Sequence, residues 1–343
     1  MKKKLSITDM LAQDVVISMA KALNVPVENT NSEYRINLPE EFGVGIVKAH
    51  TFDDGFGVVE TDYVLKKDFH FELEKGQVHP LKIIFNMGDT FYHKLESDGE
   101  FMPVNFSETV VVASTPKNNH RFLIPKATDS RIFTLEVNRK LFERKVGNYS
   151  SDMESDIEDL FRDVNGVLPF SYKAIYSYDI ATLIRDFKSI KLTGLKKNLY
   201  LESKAYEILV NFLEQHNEDK GHPDKRNIFR QNHIKLIQNA ANDLRAHLDN
   251  PIKVADLAKK HGLNTTIIQN GFRTIYGMSV NEFLQNERLN EIKRLLEETN
   301  LSISQIVYEV GLNSKSYLSK IFLERFGITP TQYRVNAKNS KNG

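Results

Sequence analysis

The spacing of apolar residues changes along the chain and divides it into regions. Apolar residues near helical spacing predict an amphipathic helix over 5–23. From about 43 to 137, short β-rich runs alternate with turn residues, a pattern typical of an antiparallel sandwich or a small barrel that can enclose one small ligand. Eight runs form the predicted strands: Val44–Thr51, Phe56–Leu65, Phe69–Leu73, Leu81–Asn86, Thr90–Leu95, Thr109–Ala113, Asn119–Ile124 and Arg131–Val137.

From about 138 to 216 the apolar period becomes helical again. A helix is predicted over about 176–190, and a longer one follows it. The longer helix has an apolar stripe of Leu199, Tyr206, Leu209, Phe212 and Leu213. Two interpretations stay open. The two helices pair with their copies in a second subunit, giving a homodimer through 176–216, or they only cover the β-rich region.

Residues 217–232 are polar and contain Gly221 and Pro223 without an apolar period, so we predict a linker there. The predicted domains are therefore 1–216, which is β-rich over 43–137 and helical over 138–216, and 233–343, which has only helical periods. The expected fold class is α+β, with a β-barrel or sandwich followed by an all-α domain.

The C-terminal region contains an internal duplication. Residues about 252–277 match residues about 301–327 at an offset of 49, which becomes 50 after one inserted residue. The coinciding pairs are Gly262 and Gly311, Leu263 and Leu312, Asn264 and Asn313, Phe272 and Phe322, and Gly277 and Gly327. In each copy a short helix ends at a glycine suited to positive φ, and a second helix begins after it. Each copy is therefore a predicted helix-turn-helix unit.

The local signals of each copy are specific. Asn264 or Thr265 can cap the second helix of the first copy, and Asn313 or Ser314 that of the second. The predicted core residues are Leu257, Leu263, Ile268, Phe272, Ile306, Leu312, Leu318 and Phe322. A long helix over Val280–Glu297 separates the copies. Its length of about 27 Å is near the pitch of B-DNA, about 34 Å. It could hold two recognition helices in successive major grooves.

The tandem over about 235–336 resembles the DNA-binding domain of AraC-type (AraC/XylS) transcriptional regulators. The resemblance rests on Ala255–Ala258, Gly262–Asn264, Arg288-Leu289, Leu295-Leu296 and Gly311–Arg334. In the first copy Asn270 stands where a basic residue is frequent, and Gly271 replaces a larger helix-forming residue. Glycine inside a helix costs about 1 kcal/mol, so we expect the second copy to dominate base recognition.

The resemblance implies which side chains contact DNA. The implied base contacts are Thr266, Gln269 and Asn270 in the first copy and Lys315, Ser316 and Lys320 in the second. Gln and Asn match the edge of adenine, and Lys matches guanine. The implied phosphate contacts are Arg273, Ser314, Tyr317 and Arg334. For any single position, an ordinary solvated side chain is the alternative.

The resemblance also implies a cupin-like N-terminal barrel that receives a small-molecule effector and mediates dimerisation. The segment Leu195–Leu209 is similar to the corresponding helix of siderophore-responsive regulators of the pyochelin-regulator type. An iron–siderophore effector is one candidate that this implies; the residues that bind an effector stay unassigned.

Charge supports the division of the chain. The net charge is +1, but residues 224–343 contain 18 Lys and Arg against 11 Asp and Glu. The remaining 28 basic and 34 acidic residues lie in 1–223. A basic C-terminal third beside an acidic N-terminal part indicates one region that binds a polyanion.

Several classes of function lack support. The chain has no cysteine, no catalytic or phosphate-binding signature, no apolar run long enough for a membrane helix and no export signal. Five histidines lie in the β-rich region, at 50, 70, 79, 93 and 120, but without a His-x-His pair. We therefore expect neither a metal site nor a cofactor. We expect the protein to be cytoplasmic.

The sequence favours a non-enzymatic, sequence-specific regulator that binds double-stranded promoter half-sites. An activator modulated by a small-molecule effector is expected, with RNA polymerase a candidate partner and no membrane. The alternatives are a regulator controlled only by its abundance, a cupin-type enzyme with an appended DNA-binding module, and a scaffold whose helix-turn-helix units contact proteins.

Overall fold

The computed structural model describes residues 4–7, 11–73, 79–95, 99–113, 115, 120–147, 156–168, 170–221, 223–250 and 253–341. The chain forms two compact units, Met1–Ile228 and Phe229–Gly343. The predicted starts of a strand at Asn119 and of the first duplicated copy at Ile252 lie outside the described residues.

The first unit is α+β, as predicted. Its strands are β1 (Lys4–Ile7), β2 (Glu28–Thr30), β3 (Glu33–Asn37), β4 (Gly43–Thr51), β5 (Phe56–Leu65), β6 (Phe69–Leu73), β7 (Leu81–Asn86), β8 (Phe91–Leu95), β9 (Met102–Val104), β10 (Glu108–Ala113), β11 (His120–Ile124), β12 (Asp129–Val137) and β13 (Phe170–Ile175). Its helices are α1 (Ala12–Leu23), α2 (Arg139–Gly147), α3 (Asp156–Arg162), α4 (Tyr178–Lys188) and α5 (Gly194–Gly221), with a 3₁₀ turn at Asp53–Gly55.

The strands form two sheets. One has the order β13-β10-β7-β12-β5-β4-β3-β2 and the other the order β1-β6-β11-β8-β9. The pairings are antiparallel, apart from β1 and β6, which run parallel. The predicted antiparallel sandwich is therefore confirmed, with one parallel edge added to it.

Side-chain alternation gives the larger sheet two buried faces. On β12, Phe133 and Leu135 join a core that includes residues of α2 to α5. The alternate residues Ile132 and Thr134 point to the opposite face, where the smaller sheet and α1 provide a second core. Because both faces are covered, all six residues of β7 are buried, a run that simple apolar-polar alternation would not give.

The predicted helix over 5–23 begins too early. Residues 4–7 are extended, because their backbone pairs with β6 from Lys4 opposite His70 to Ile7 opposite Leu73. Leu11 is also extended, and its N–H donates to the Asp14 carboxylate at 2.9 Å. The helix therefore starts at Ala12; Met10 lies outside the described residues.

Two further predictions are wrong in secondary structure. The region 138–216 is not wholly helical, because Phe170–Ile175 pairs along its whole length with β10. The stretch 217–232 was expected to lack regular structure, yet α5 continues to Gly221 and α6 (Pro223–Ala246) begins two residues later. Proline is compatible with the first turn of a helix because the N–H that it lacks would have no partner there.

The second unit is all-α. After α6 it contains α7 (Val254–Lys260), α8 (Thr265–Tyr276), α9 (Val280–Glu298), α10 (Ile303–Glu309), α11 (Lys315–Phe326) and α12 (Pro330–Lys341). These bounds agree with the predicted pairs of short helices and with the long connector between them. Gly262 and Gly311 have φ of 68° and 65°, so each helix-turn-helix turn uses the left-handed conformation that glycine favours.

The duplication extends to packing. Phe272, Tyr276 and Phe283 form one ring cluster, with centroids 4.6–5.3 Å apart. The residues 50 positions later, Phe322, Phe326 and Tyr333, form the equivalent cluster at 4.4–6.0 Å. The predicted core is buried with one exception: Leu312 is only partly buried, although it packs against the core of the second copy.

Candidate nucleic-acid interface

Helices α8 and α11 are the second helices of the two helix-turn-helix units, and each begins at a side-chain cap. The Asn264 side-chain oxygen accepts the N–H of Ile267 at 2.8 Å, and the Ser314 hydroxyl accepts the N–H of Tyr317 at 3.1 Å. Of the two capping candidates predicted in each copy, the structure selects these. Ser314 therefore stabilises the helix start, whether or not it also contacts a phosphate.

Each helix divides into a buried and an exposed face. Ile268, Phe272 and Ile275 of α8 are buried, as are Leu318, Ile321 and Phe322 of α11. The candidate residues that the structure leaves exposed are Thr266, Asn270, Arg273, Ser314, Lys315, Ser316, Tyr317 and Lys320. Ser316 and Lys320 are one helical turn apart on α11, as are Thr266 and Asn270 on α8. The structure thus groups most candidates on one surface per helix.

Gln269 has a structural partner that the sequence did not reveal. Its side-chain oxygen accepts the N–H of Val280, at the start of α9, at 3.3 Å. With that oxygen occupied, bidentate recognition of adenine would require Gln269 to leave Val280. Position 330, which is 50 residues after Val280, is a proline and has no N–H to be satisfied.

Ser319 is a candidate that the sequence reasoning missed. It lies 50 residues after Gln269 and is half-buried on the second recognition helix, between Ser316 and Lys320. The offset of the duplication was sufficient to find it. By the same offset, Arg273 corresponds to Leu323, an apolar side chain that is 45% exposed.

Arg334 differs from the other phosphate candidates. It lies on α12 and is half-buried, and its Nε and Nη2 atoms are buried without a hydrogen-bond partner among the described residues. Its neighbour Tyr333 donates to the Glu297 carboxylate at 2.6 Å, which ties α12 to the connector. Burial and this carboxylate raise the pKa of Tyr333 to about 12.

The first unit contains a separate candidate site, a cavity of about 80 Å³ between its two sheets. Its lining is mostly apolar and includes Val59, Ile84 and Phe122. Its main polar feature is Lys82, whose ammonium lies 2.6 Å from the carboxylate of Glu136, directly opposite on the neighbouring strand. Both side chains are more than nine-tenths buried.

The histidines of this unit are mainly buried and bonded to neighbours. His93 Nε2 and His120 Nδ1 are 2.9 Å apart with their rings stacked, and His50 Nε2 is 3.3 Å from Glu60. Among the described residues, no group of three or more His, Asp or Glu is arranged to hold a metal ion. Within the same residues, no helix is both long and apolar enough to cross a membrane.

The duplicated turns, caps and ring clusters define a tandem helix-turn-helix protein of the AraC type, preceded by an α+β unit. Two family profiles match the chain: the Regulatory protein PchR N-terminal domain over residues 43–227, and the Helix-turn-helix domain over residues 257–336. The first covers more than half of the chain. The chain belongs to the family of AraC-type regulators that carry the PchR N-terminal domain, as the resemblance of its sequence predicted.

Individual relatives match in different parts. The uncharacterized HTH-type transcriptional regulator YfiF of Bacillus subtilis is 34% identical over 98 residues, which are 29% of this chain and 31% of YfiF. The HTH-type transcriptional regulator ExsA of Pseudomonas aeruginosa is 23% identical over 209 residues, 61% of this chain and 72% of ExsA. A solved AraC-type regulator from Chromobacterium violaceum is 25% identical, covers 30% of this chain and 92% of its own, and has a TM-score of 0.29.

Proposed function

We propose that this protein is a sequence-specific, DNA-binding transcriptional regulator whose two recognition helices read successive major grooves. The observation that carries the proposal is the repetition of one helix-turn-helix geometry, each copy with an exposed polar face on its second helix. The connector α9 has 19 residues. At 1.5 Å per residue it is about 28 Å long, close to one turn of B-DNA, about 34 Å.

The second unit is proposed to supply most of the base recognition. Lys315 and Lys320 give α11 two exposed cations beside Ser316. On the equivalent surface of α8 the first charged candidate is Arg273, because Thr266, Gln269 and Asn270 are neutral. The side-chain oxygen of Gln269 also accepts the N–H of Val280. Lysine also attracts phosphates and suits guanine, so α11 contributes both affinity and sequence preference.

Selection of binding sites from random duplex DNA with the full-length chain tests this proposal. We expect an enriched site with two half-sites about one helical turn apart and an affinity that falls steeply with salt. No enriched site, or an affinity independent of salt, would show that the helix-turn-helix units serve another purpose, such as protein contacts.

We further propose that a small molecule bound in the cavity of the first unit modulates DNA binding, with activation as the outcome. The cavity is already formed and mostly apolar, with the Lys82–Glu136 pair on its wall. Drug-sized ligands occupy pockets of roughly 300–1,000 Å³. A whole iron–siderophore complex would therefore require this cavity to widen, whereas a small apolar molecule with one polar group fits it better.

Calorimetry with the full chain tests the effector, using a ferric siderophore and small apolar carboxylic acids as separate ligands. Val59→Leu adds one methylene to the cavity lining and is expected to weaken binding of a cavity ligand. Val58→Leu, on the same strand but in the core shared with the helices, is the matched control. If none of these ligands binds, the result favours the alternative, a regulator controlled by its abundance.

A homodimer through α5 is the last part of this proposal. One face of α5, with Leu201, Ile208 and Phe212, packs into the core of the first unit. A second face, rotated by roughly 150° at 100° per residue, bears three exposed apolar residues, Leu195, Leu199 and Val210, which are 52–73% exposed. A second copy of the same helix is the occupant that would cover this stripe.

Sedimentation analysis of Leu199→Glu/Val210→Glu tests the dimer. We expect the wild-type chain to sediment as a dimer and the variant as a folded monomer. Val44→Glu, at a valine of β4 that is 71% exposed, is the control and should leave the dimer intact. A wild-type monomer at all concentrations would refute this part while leaving DNA recognition untouched.

A further inference from the structure

Arg288 of the connector α9 binds the turn that follows α6. Its Nε donates to the carbonyl oxygen of Leu248 at 2.9 Å, and its Nη2 donates to that of Asn250 at 3.4 Å. The side chain is half-buried. Burial lowers the pKa of the guanidinium, and this is opposed by the nearby Asp249 and by Tyr317 of the second recognition helix. The planar fork of Arg288 is thus directed at backbone carbonyls.

The turn of the second helix-turn-helix unit packs against the same segment. Gly311 has φ of 65°, and a Cβ on this residue would lie 2.3 Å from the carbonyl oxygen of Asp249. The equivalent glycine of the first unit, Gly262, has open space in that direction. Residues 248–250 are therefore held between the connector and the second unit.

Helix α6 also contacts the first recognition helix. Ile237 of α6 lies so close to Gly271 of α8 that a Cβ there would be 1.9 Å from the Ile237 Cδ1. Helix α6 thus contacts α8, and residues 248–250 after it contact the turn of the second helix-turn-helix unit.

We propose that Arg288 is a positioning residue that fixes the separation of the two recognition helices, without contacting DNA. The inference rests on the proposed function. Two recognition helices held at the separation of two half-sites bind DNA more tightly than either helix alone. Once one helix is bound, the second binds its half-site intramolecularly, at a high effective concentration. If the two helices are less rigidly connected, that effective concentration falls for half-sites at the correct spacing. Half-sites at other spacings are then bound less poorly relative to the correct one.

The test uses the full-length chain and the selected two-half-site duplex. A second series of duplexes has one or two base pairs inserted between the half-sites. Each inserted base pair turns one half-site by about 35°, since B-DNA has 10–10.5 base pairs per turn. We expect the wild-type chain to lose about tenfold or more in affinity per inserted base pair.

For Arg288→Ala we expect the affinity for the correct spacing to fall by about tenfold, while the loss per inserted base pair shrinks to about threefold. Arg288→Lys keeps the charge but not the planar fork, so its affinities should lie between those of the wild-type chain and those of Arg288→Ala. Arg294→Ala is the matched control on the same helix: Arg294 pairs only with Glu291 and Glu298 among the described residues, so both affinities should be unchanged. The slope of affinity against salt should not change in any of these variants.

Two outcomes would overturn the proposal. If Arg288→Ala binds more weakly but discriminates against inserted base pairs as strongly as the wild-type chain, Arg288 does not set the spacing. If its salt slope falls by about one, Arg288 is a phosphate contact. Should Arg288→Ala prove unfolded by circular dichroism, Arg288→Lys decides between these outcomes. A wild-type chain that selects no site refutes the proposed function instead.

Discussion

Gly271 of the first recognition helix lies directly against Ile237 of α6, and a Cβ at position 271 would come within 1.9 Å of the Ile237 Cδ1 atom and 2.8 Å of its Cγ1. Both residues are buried. Judged by helix propensity alone, this glycine weakens α8. The structure gives it a different role, because it permits a close approach of two helices that no larger residue allows.

Gly271→Ala should therefore destabilise the second unit although alanine is the better helix former. The gain in helix propensity is about 1 kcal/mol, and overpacking a core costs about 1–3 kcal/mol. We expect a net loss of about 1 kcal/mol, seen as a lower midpoint in thermal unfolding.

The double variant Gly271→Ala/Ile237→Val should recover part of this loss, because valine lacks Cδ1, the nearer of the two clashing atoms. Equal effects of Gly271→Ala in the wild-type and Ile237→Val backgrounds would mean that the two residues do not interact. A stabilised Gly271→Ala chain would mean that propensity outweighs packing at this position.

Alanine at the two turn glycines should have unequal effects. Gly262→Ala should lose stability only because alanine is strained in the left-handed conformation, by about 1–2 kcal/mol. Gly311→Ala meets the same cost and also the backbone of Asp249. We expect it to lose at least about 1 kcal/mol more in chemical denaturation. Similar losses would contradict the contact between the second turn and Asp249.

Lys320→Ala should weaken binding to the selected DNA site more than Asn270→Ala. Both side chains are exposed at equivalent positions, but only Lys320 is charged. Losing it removes a cation from the interface as well as a base contact, so we expect a cost of about 1–3 kcal/mol and a smaller salt slope if a phosphate is involved. Equal losses in a fluorescence titration would refute the dominance of the second unit.

The first unit should become less stable in mild acid because of His93. Burial lowers the pKa of His93 to about 4, from an ordinary value of 6.5. Between these two pH values the unfolded chain binds a proton that the folded chain does not, so stability is fully present above about pH 6.5 and falls towards pH 4. At about 1.4 kcal/mol per unit, the total effect is about 3 kcal/mol.

His93→Gln removes this titration while keeping a side chain that can bond to His120. We expect its melting temperature to fall less between pH 7 and pH 5 than that of the wild-type chain. The transition to measure is the unfolding of the first unit, which is recognised because its midpoint changes when His93 is replaced. His247→Gln, at an exposed histidine of the second unit, is the control. An identical fall in the wild-type and His93→Gln chains would show that His93 does not contribute.

Four of the five strands that the sequence pattern missed share one physical property. Strands β1, β2, β9 and β13 are the edges of the two sheets, and β3 lies next to an edge. An edge strand pairs on one side only and is often partly exposed; β2 is exposed at all three residues. Such a strand needs no apolar run, so periodicity does not reveal it. Strands β5, β6 and β7, each paired on both sides, were predicted with their observed bounds.

The sequence by itself determined the second unit closely, because its signals are local: glycines at helix ends, capping side chains and an apolar stripe repeated at a fixed offset. The AraC-type resemblance followed from the same residues, whereas the similarity to the pyochelin-regulator type came from Leu195–Leu209 in the first unit. Only the tertiary structure decided what depends on contacts between distant segments. Gly271 packs on Ile237, Gln269 bonds to Val280, Arg288 binds residues 248–250, and the interior of the first unit contains a cavity with one buried ion pair. These contacts arise when helices and sheets pack together, and no periodicity along a single chain encodes which side chains then meet.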